Sequence, residues 1–441
     1  SGRALALVLE DGTRLAPTDF NVDWRRSDGQ AVDGSATASR LDLALLARLS
    51  AYLPLDGGSR RLLADYAPTG EIADLRLSFS GSAERLERYA LRAGFDRLGL
   101  AAQGVFPGFS GLSGQVDASE RGGSATLRSD RSFIDLPSVF PEPRLAFDTL
   151  SAAVRWRIDG EAVEVDLGKV EFAGEHAAGS AQGTYRYTGR GAGVIDLGAT
   201  LSRARGDAVW RYMPHVVDVE ARDWLRRGIV AGTASDARLT LKGDLDRFPF
   251  LDGSGTFLVT ARAQGVAIDY APGWPKLENI HGKLRFAGAG MRVEAERGTI
   301  LGTRIAATTA DIPDFDADRP VLAVSGRVEG PTAEFFRFIE ESPVGESIHH
   351  VTSDMRAQGQ GRLDLALDIP LSDPERTRVR GDYRFIDNRI VVEPALPPLT
   401  RVNGQLKFTD SSIVARDVTG LFLGGPVKVR ADTAGEGRVD V

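Results

Sequence analysis

Short runs of alternating apolar and polar residues, broken by glycine and proline, are the feature that most limits how this chain can fold. The segment Gly243–Phe286 shows the pattern clearly. A period of two is typical of β-strands that shelter one face and expose the other, and glycine or proline at the breaks favours turns. The segment therefore predicts an antiparallel meander, with sheltered positions at Phe257, Val259, Ala261, Val266, Ile268, Tyr270, Leu284 and Phe286.

The glycine and proline content indicates turns rather than disorder, and the charge distribution and the absence of cysteine argue against several classes of function. The 441 residues include 50 glycines and 21 prolines without a low-complexity tract, and 42% are hydrophobic. The net charge is -7, and the 54 basic and 61 acidic residues are interspersed, so no basic patch indicates a nucleic-acid partner. The absence of cysteine excludes disulfides, thiolate metal sites and a cysteine nucleophile.

Three places depart from the strand pattern in one order: helix, proline, helix, glycine, strand. In the first copy, Ser39 is the expected N-cap of a helix that Pro54 ends. A recurring order of this kind indicates an internal repeat. We expect helix pairs near residues 41–66, 207–227 and 332–351, and three modules, 1–203, 204–328 and 329–441, that form one continuous elongated sheet.

A shorter motif, P-x4-Φ-x-G-x-Φ with Φ aliphatic, occurs three times within the strand regions. The proline ends a loop, the glycine permits a bend or a close approach of strands, and the two aliphatic residues share one face. The copies are Pro107-Leu112-Gly114-Val116, Pro275-Ile280-Gly282-Leu284 and Pro397-Val402-Gly404-Leu406.

The three helix pairs are too short to cover the sheltered face of so many strands. Large open sheets curl or split into packed layers, so the apolar face must either fill itself as a sandwich or line a groove. We expect a mainly β fold: a long, twisted antiparallel sheet curled into an open β-groove, with three short helix-pair insertions. The helix pairs could plug, gate or brace this groove, or could simply cap the sheet.

No group of residues predicts catalysis or a bound cofactor. The five histidines do not form a set of metal ligands. Asp314, Asp316 and Asp318 alternate as in a calcium loop, but the glycine and glutamate of an EF-hand do not follow them. The glycines of residues 189–193 precede a strand pattern rather than the helix of a dinucleotide site. We expect no enzyme activity, no cofactor and no metal.

Aromatic motifs are concentrated in the central part of the chain. They are Trp224-Leu225-Arg226-Arg227-Gly228, Phe248-Pro249-Phe250, Tyr270-Ala271-Pro272-Gly273-Trp274-Pro275 and Gly282-Lys283-Leu284-Arg285-Phe286. With the strands and turns around them, over about residues 204–343, they resemble the YhdP / AsmA-like family of bacterial envelope proteins. The resemblance implies a repeating β-groove, a periplasmic body, an inner-membrane anchor on the full-length protein and a role in moving phospholipid towards the outer membrane.

We therefore expect a segment of a periplasmic lipid conduit that shields phospholipid acyl chains between the inner and outer membranes and supports the outer-membrane barrier. The alternatives are a structural envelope scaffold or assembly factor with a self-filled sheet and no lipid, and an enzyme acting on envelope polysaccharide or lipid. Which strand positions face inward depends on bulges. The expected lining residues are Leu239, Leu241, Phe257, Val259, Leu284, Phe286, Leu363, Leu365, Leu406 and Phe408.

The sequence begins with Ser-Gly rather than Met and contains no run of about 20 apolar residues, the length of a membrane span. We expect a piece of a longer protein, located in the periplasm and attached to the membrane by a segment outside this sequence. The expected ligand is phospholipid, nucleic acid is not an expected partner, and envelope protein partners are left open.

Overall fold

The computed structural model describes residues 1–5, 17–26, 31–50, 57–82, 86–104, 106–434 and 438–440. The fold is mainly β, as the alternating pattern predicted. The 23 described strands belong to one antiparallel sheet, and helices are few.

The strands follow one another along the chain, mostly with short connections apart from those that contain helices, and many strands exceed ten residues. Their bounds are β1 Gly2–Leu5, β2 Thr18–Arg26, β3 Ala31–Asp42, β4 Thr69–Ser82, β5 Leu86–Leu100, β6 Gly108–Ser119, β7 Gly122–Asp135, β8 Arg144–Asp159, β9 Ala162–Ala173, β10 Ala177–Tyr187, β11 Val194–Arg205, β12 Ile229–Asp244, β13 Thr256–Ile268, β14 Leu277–Ala287, β15 Gly290–Ile300, β16 Thr303–Ile312, β17 Val321–Pro331, β18 Arg356–Pro370, β19 Arg378–Val391, β20 Leu399–Thr409, β21 Ile413–Phe422, β22 Gly425–Ala434 and β23 Arg438–Asp440.

Neighbouring strands in the sequence are neighbours in the sheet. From β1 to β10 and from β13 to β23, each strand pairs antiparallel with the next one. This is the meander that the glycine and proline breaks predicted, because short connections join antiparallel strands.

Helices occur at each of the three predicted places. They are α1 Leu43–Leu49 and α2 Gly57–Tyr66, then a 3-10 helix Gly206–Tyr212 and α3 Val219–Gly228, then α4 Thr332–Glu340 and α5 Pro343–Ser347. Two further 3-10 turns, Leu245–Arg247 and Pro374–Arg376, lie in strand connections.

The predicted start of the first helix is wrong by a few residues. Ser39 lies in β3, which keeps pairing with β4 as far as Asp42. The N-cap is Asp42, whose side chain accepts a hydrogen bond from the Leu45 backbone N–H at 2.9 Å. Strand pairing therefore delays the helix until a residue with a capping carboxylate is reached. Pro54 lies outside the described residues.

The chain divides into two compact units. The first comprises Ser1–Arg203, Arg211–Asp218 and Leu239–Thr256, and the second comprises Ala204–Trp210, Val219–Arg238 and Phe257–Val441. The division into three modules stays a prediction. The first unit has a buried cluster of Phe95, Leu112 and Leu150. The second has a buried cluster of Ala357, Ile390, Val402, Ala415 and Val418.

The short proline–glycine motif lies where strands change register. Each glycine is adjacent to a register shift, and a Cβ on Gly282 or Gly404 would collide with the backbone carbonyl of Glu294 or Asp417 in the next strand. Gly404 also has a φ of +138°, which other residues rarely adopt. The glycine thus permits the close approach that the motif predicted, and the first aliphatic residue of each copy is buried: Leu112, Ile280 and Val402.

Candidate functional site

One face of the second unit is apolar across many strands. Directly opposed residues of antiparallel strands share a face, so the register can be followed from strand to strand. One row runs over seven strands from β13 to β19: Ala261, Leu284, Val293, Ala310, Val324, Leu367 and Val379. A second row runs from β16 to β21: Ile305, Val328, Leu363, Tyr383, Leu406 and Ala415. We call the surface formed by these rows the apolar face.

The opposite side of the same strands, here called the charged face, is polar. The neighbouring row consists of Arg262, Lys283, Glu294, Thr309, Ser325, Ala366, Arg380 and Thr409. Cross-strand ion pairs cover this side, for example Arg327–Asp364 at 2.7 Å and Arg380–Asp368 at 3.2 Å. The contrast between the two rows fixes the direction in which the apolar residues point.

Bulges shift the alternation without mixing the two faces. In β19 the register shifts between Phe385 and Asn388, and Asp387 between them has a φ of +48°. Because the extra residue resets the parity, Asn388 and Ile390 share the face of Tyr383 and Phe385. Simple counting by twos along β19 would assign Asn388 and Ile390 to the charged face.

All ten residues predicted to line a groove are half-buried strand residues. The register brings eight of them together on the apolar face of the second unit. Leu239 and Leu241 lie in β12, in the part of that strand that belongs to the first unit. Contact of any of the ten with a ligand stays a prediction. The eight are Phe257, Val259, Leu284, Phe286, Leu363, Leu365, Leu406 and Phe408.

Helix α4 covers one end of the apolar face. It packs against β17 and β18, and its Phe336 contacts the buried cluster of the second unit. At this end lies what we call the covered zone, whose side chains are all buried: Ala357, Tyr383, Ile390, Val402, Ala415 and Val418. Further along the same strands lies the open zone, whose side chains are only half-buried: Leu322, Val324, Leu365, Leu367, Ile369, Val379 and Phe408.

Two residues that hold α4 in place were not among the predicted site residues. Thr332 is fully buried at the start of α4, and its Oγ1 accepts a hydrogen bond of 2.9 Å from the Tyr383 hydroxyl. The alternation of β19 could have assigned Tyr383 to the apolar face, but its partner is 51 residues away. Burial raises the pKa of the Tyr383 phenol to about 12, so the hydroxyl stays protonated at neutral pH.

The first unit repeats the two-faced pattern. One row runs through Ala36, Leu77, Leu91, Ala118, Gly123, Trp156, Val165 and Tyr185. The next row is polar: Arg76, Arg92, Asp117, Ser124, Arg155, Asp166 and Thr184. Helix α1 packs on β3 and β4 with Leu45 buried, so this unit also has a short helix against its sheet.

The aromatic motifs have structural contacts of their own. In the first unit, Phe250 is buried against Gly243 and Gly255, and its ring meets that of Phe248 edge-on at 5.9 Å. These contacts fold the connection between β12 and β13 onto the end of β12 and onto the glycine that precedes β13.

In the second unit, the loop between β13 and β14 joins two helices. The ring of Trp274 lies 6.1 Å from Tyr270 and 5.9 Å from Phe338 of α4. The Trp224 indole of α3 donates a hydrogen bond of 3.1 Å to the Tyr270 carbonyl. Burial raises the pKa of the Tyr270 phenol to about 12. The motif thus ties α3 and α4 to one loop.

Other candidate sites offer no catalytic arrangement. A depression of about 590 Å³ is lined mainly by residues of the charged face, among them Arg327, Asp364 and Lys407, and its ion pairs do not suit an apolar ligand. In the part of the chain that the structure describes, no group of three or more histidine, aspartate or glutamate side chains could hold a metal ion. The Asp314 carboxylate accepts a hydrogen bond from the Asp316 backbone at 2.8 Å, which is a polar turn.

None of the described helices combines the length and the apolar character that crossing a membrane requires.

Comparison with known proteins assigns the family. The family model described as "YhdP protein" matches residues 2–441. Among curated proteins, the intermembrane phospholipid transporter YhdP of Escherichia coli (strain K12) is 25% identical over 379 residues, an alignment that covers 84% of this chain and 29% of the relative. The chain thus spans less than a third of the length of that relative. No solved structure matches the chain. The match over nearly the whole sequence confirms the family that the aromatic motifs predicted: the chain belongs to the YhdP family.

Proposed function

We propose that this chain is a segment of a periplasmic lipid conduit that carries phospholipid between the inner and outer membranes. The observation that carries the proposal is the open zone of the second unit, where large aliphatic side chains on adjacent strands are only half-buried. A contiguous apolar surface of this kind is an aggregation hazard unless something apolar occupies it. The relative named as an intermembrane phospholipid transporter makes phospholipid the ligand that we propose.

The energetics favour acyl chains as the occupant. Each methylene group that leaves water is stabilised by about 0.8 kcal/mol, so a diacyl lipid needs only part of its chains against the protein to bind firmly. The phosphate head group would stay in water, outside the apolar side chains. Similar aliphatic contacts recur from strand to strand, so a lipid can move from the contacts of one strand to those of the next without a position that binds it much more tightly than the others.

The proposed role requires no chemical step. Transport by a surface of this kind uses binding and diffusion, so the chain acts as a non-enzymatic carrier. Net direction would come from a lipid gradient or from a partner protein. The membrane anchor of the whole protein would lie in the inner membrane, and loss of the conduit would weaken the outer-membrane barrier.

A matched pair of variants tests the proposal. Leu365 and Ala366 are neighbours in β18, both half-buried, with Leu365 on the apolar face and Ala366 opposite Arg380 on the charged face. Purified wild-type chain, Leu365→Asp and Ala366→Asp are each mixed with vesicles of fluorescent phosphatidylethanolamine, and transfer to acceptor vesicles is measured. We expect Leu365→Asp to slow transfer about tenfold or more and Ala366→Asp to behave as wild type. Equal loss in both variants, or no transfer by wild type, would contradict the proposal.

A further inference from the structure

Helix α4 places a sharp boundary between the covered zone and the open zone. The Phe335 ring lies edge-on against Tyr383, with ring centroids 5.0 Å apart and the planes at 74°. The Tyr383 hydroxyl is held by Thr332 at 2.9 Å, and Phe385 follows behind it at 4.9 Å. Aromatic rings in this edge-to-face arrangement resist displacement more than area burial alone would suggest. The row that marks the boundary is Val328, Leu363, Tyr383 and Leu406.

The strands of the sheet pack closely against the Tyr383 side of this boundary. A Cβ on Gly361 would collide with the Tyr383 phenol, so the ring lies directly on the backbone of β18. Behind the ring, Ile390 is 6% exposed and Val402 is 2% exposed. Side chains buried to this extent offer no free surface to a further acyl chain.

The open zone has a length that can be compared with a lipid. Along β18 the apolar face runs from Leu363 at the boundary to Ile369 near the strand end, with Leu365 and Leu367 between them. The six steps from Leu363 to Ile369 span about 20 Å at 3.3 to 3.4 Å per residue. The hydrocarbon core of a bilayer is about 30 Å thick, so the acyl chains of one leaflet span about 15 Å. The open zone is therefore long enough for one leaflet's acyl chain and not for two end to end.

The far end of the open zone differs from the α4 end. There the strands finish in the connections 313–320 and 371–377, which are mostly exposed and contain charged residues such as Asp316, Arg319 and Arg376. A head group can stay hydrated at that end, whereas the α4 end is closed by the buried Tyr383 ring and the half-buried Phe335 ring. The two ends thus favour one orientation of a lipid that lies along the strands.

We propose that α4 is an end wall for acyl chains: Phe335 and Tyr383 stop the terminal methyl groups, so the second unit selects phospholipids whose chains are about as long as one leaflet. This inference rests on the proposed lipid-carrying function and adds chain-length selection to it. Phe335 is the proposed specificity-determining residue, because its ring packs on Tyr383 at the boundary between the two zones.

Chain-length competition tests the wall. The full 441-residue chain is incubated with vesicles of equimolar dimyristoyl-, dipalmitoyl- and dibehenoyl-phosphatidylglycerol, separated by gel filtration, and its retained lipids are quantified. Phe335→Ala removes one of the two rings of the wall and leaves Tyr383 held by Thr332. Phe338→Ala is the matched control, because Phe338 lies on the same helix but contacts Trp274 instead. Circular dichroism confirms folding, and Phe335→Leu provides a milder change if Phe335→Ala is unfolded.

We expect wild type and Phe338→Ala to retain little dibehenoyl lipid. Phe335→Ala should raise its retention relative to dipalmitoyl lipid by roughly tenfold, the effect of burying two further methylene groups. Phe335→Leu should shift the ratio in the same direction by a smaller factor. An unchanged ratio in folded Phe335 variants, or the same shift in Phe338→Ala, would overturn the end wall while leaving lipid carriage intact. A wild-type chain that retains none of the three lipids would overturn the proposed function itself.

Discussion

The covered zone and the open zone of the second unit are parts of one apolar face, yet they differ in burial. Both are built from aliphatic and aromatic residues of paired strands, and the bulge at Asp387 keeps the residues of β19 on one face. In the covered zone, Val402 is 2% exposed and Ile390 is 6% exposed. In the open zone, Leu365 and Leu367 are half-buried. The two zones thus carry the same kinds of side chain, and they differ in how much of the protein packs on them, including Phe336 of α4.

This difference separates two uses of an apolar strand residue. Under α4, an aliphatic side chain contributes to the stability of the unit through full burial. Beyond α4, the same kind of side chain stays partly exposed, and in the proposed function it also contacts lipid. Substitutions in the covered zone should therefore mainly lower stability, and substitutions in the open zone should mainly weaken lipid binding.

A charge in the covered zone should produce the largest loss. Val402→Asp puts a carboxylate among Ala357, Ile390 and Ala415, and we expect the free energy of unfolding of the second unit to fall by at least about 4 kcal/mol. Leu365→Asp in the open zone should cost about 1 to 2 kcal/mol, because water reaches the new carboxylate. Urea unfolding followed by circular dichroism measures both, and equal losses would remove the distinction between the zones.

Truncation without charge should give the same ranking at a smaller scale. Ile390→Ala leaves a cavity under α4 and should cost about 3 kcal/mol. Leu367→Ala in the open zone should cost about 1 kcal/mol, since its side chain is already partly in water. The same two proteins should rank the other way in phospholipid retention. If Ile390→Ala loses more lipid than Leu367→Ala while still folded, the assignment of the open zone is wrong.

The hydrogen bond that holds α4 should contribute less. Tyr383→Phe leaves the Thr332 hydroxyl without its partner and should cost about 1 kcal/mol at neutral pH. The pKa of Tyr383 is raised to about 12 in the folded chain, so its contribution is complete below the unfolded value near 10 and is lost as pH rises towards 12. The free energy of unfolding of the variant should therefore fall less steeply with pH than that of wild type between pH 10 and 12. It should still fall, because the pKa of Tyr270 is also raised to about 12. If wild type and Tyr383→Phe show the same dependence of stability on pH, the raised pKa of Tyr383 would be contradicted.

The charged face should give the smallest effect. The side chains of Arg327 and Asp364 form an ion pair at 2.7 Å but are 47% and 51% exposed. Asp364→Asn should cost about 0.5 kcal/mol or less, with a difference from wild type that shrinks as salt rises. Lipid retention should be unaffected. Loss of lipid in this variant would indicate that the charged face takes part in binding.

The strands and the places of the helices could be predicted from the sequence because both depend on local patterns. Alternation of apolar and polar residues predicted that Leu284 and Phe286 lie in a strand, and the helix–proline–helix order predicted where the three helix pairs occur. The cover over the face could not be predicted, because it depends on Thr332 meeting Tyr383 from a distant part of the chain. The bulge at Asp387 changes parity through backbone conformation, and nothing in the residue type alone requires it. The start of α1 was misplaced because pairing of β3 with β4 overrode helical spacing.

Native mass spectrometry of the purified chain, with lipid extraction alongside, shows whether the apolar face holds phospholipid. We expect phospholipid to co-purify with wild type, Ile390→Ala and Ala366→Asp, and to be lost from Leu365→Asp. A soluble, stable wild-type chain that carries no lipid would contradict this expectation. That result would mean that the apolar face is satisfied by the protein itself, and the scaffold interpretation would take its place.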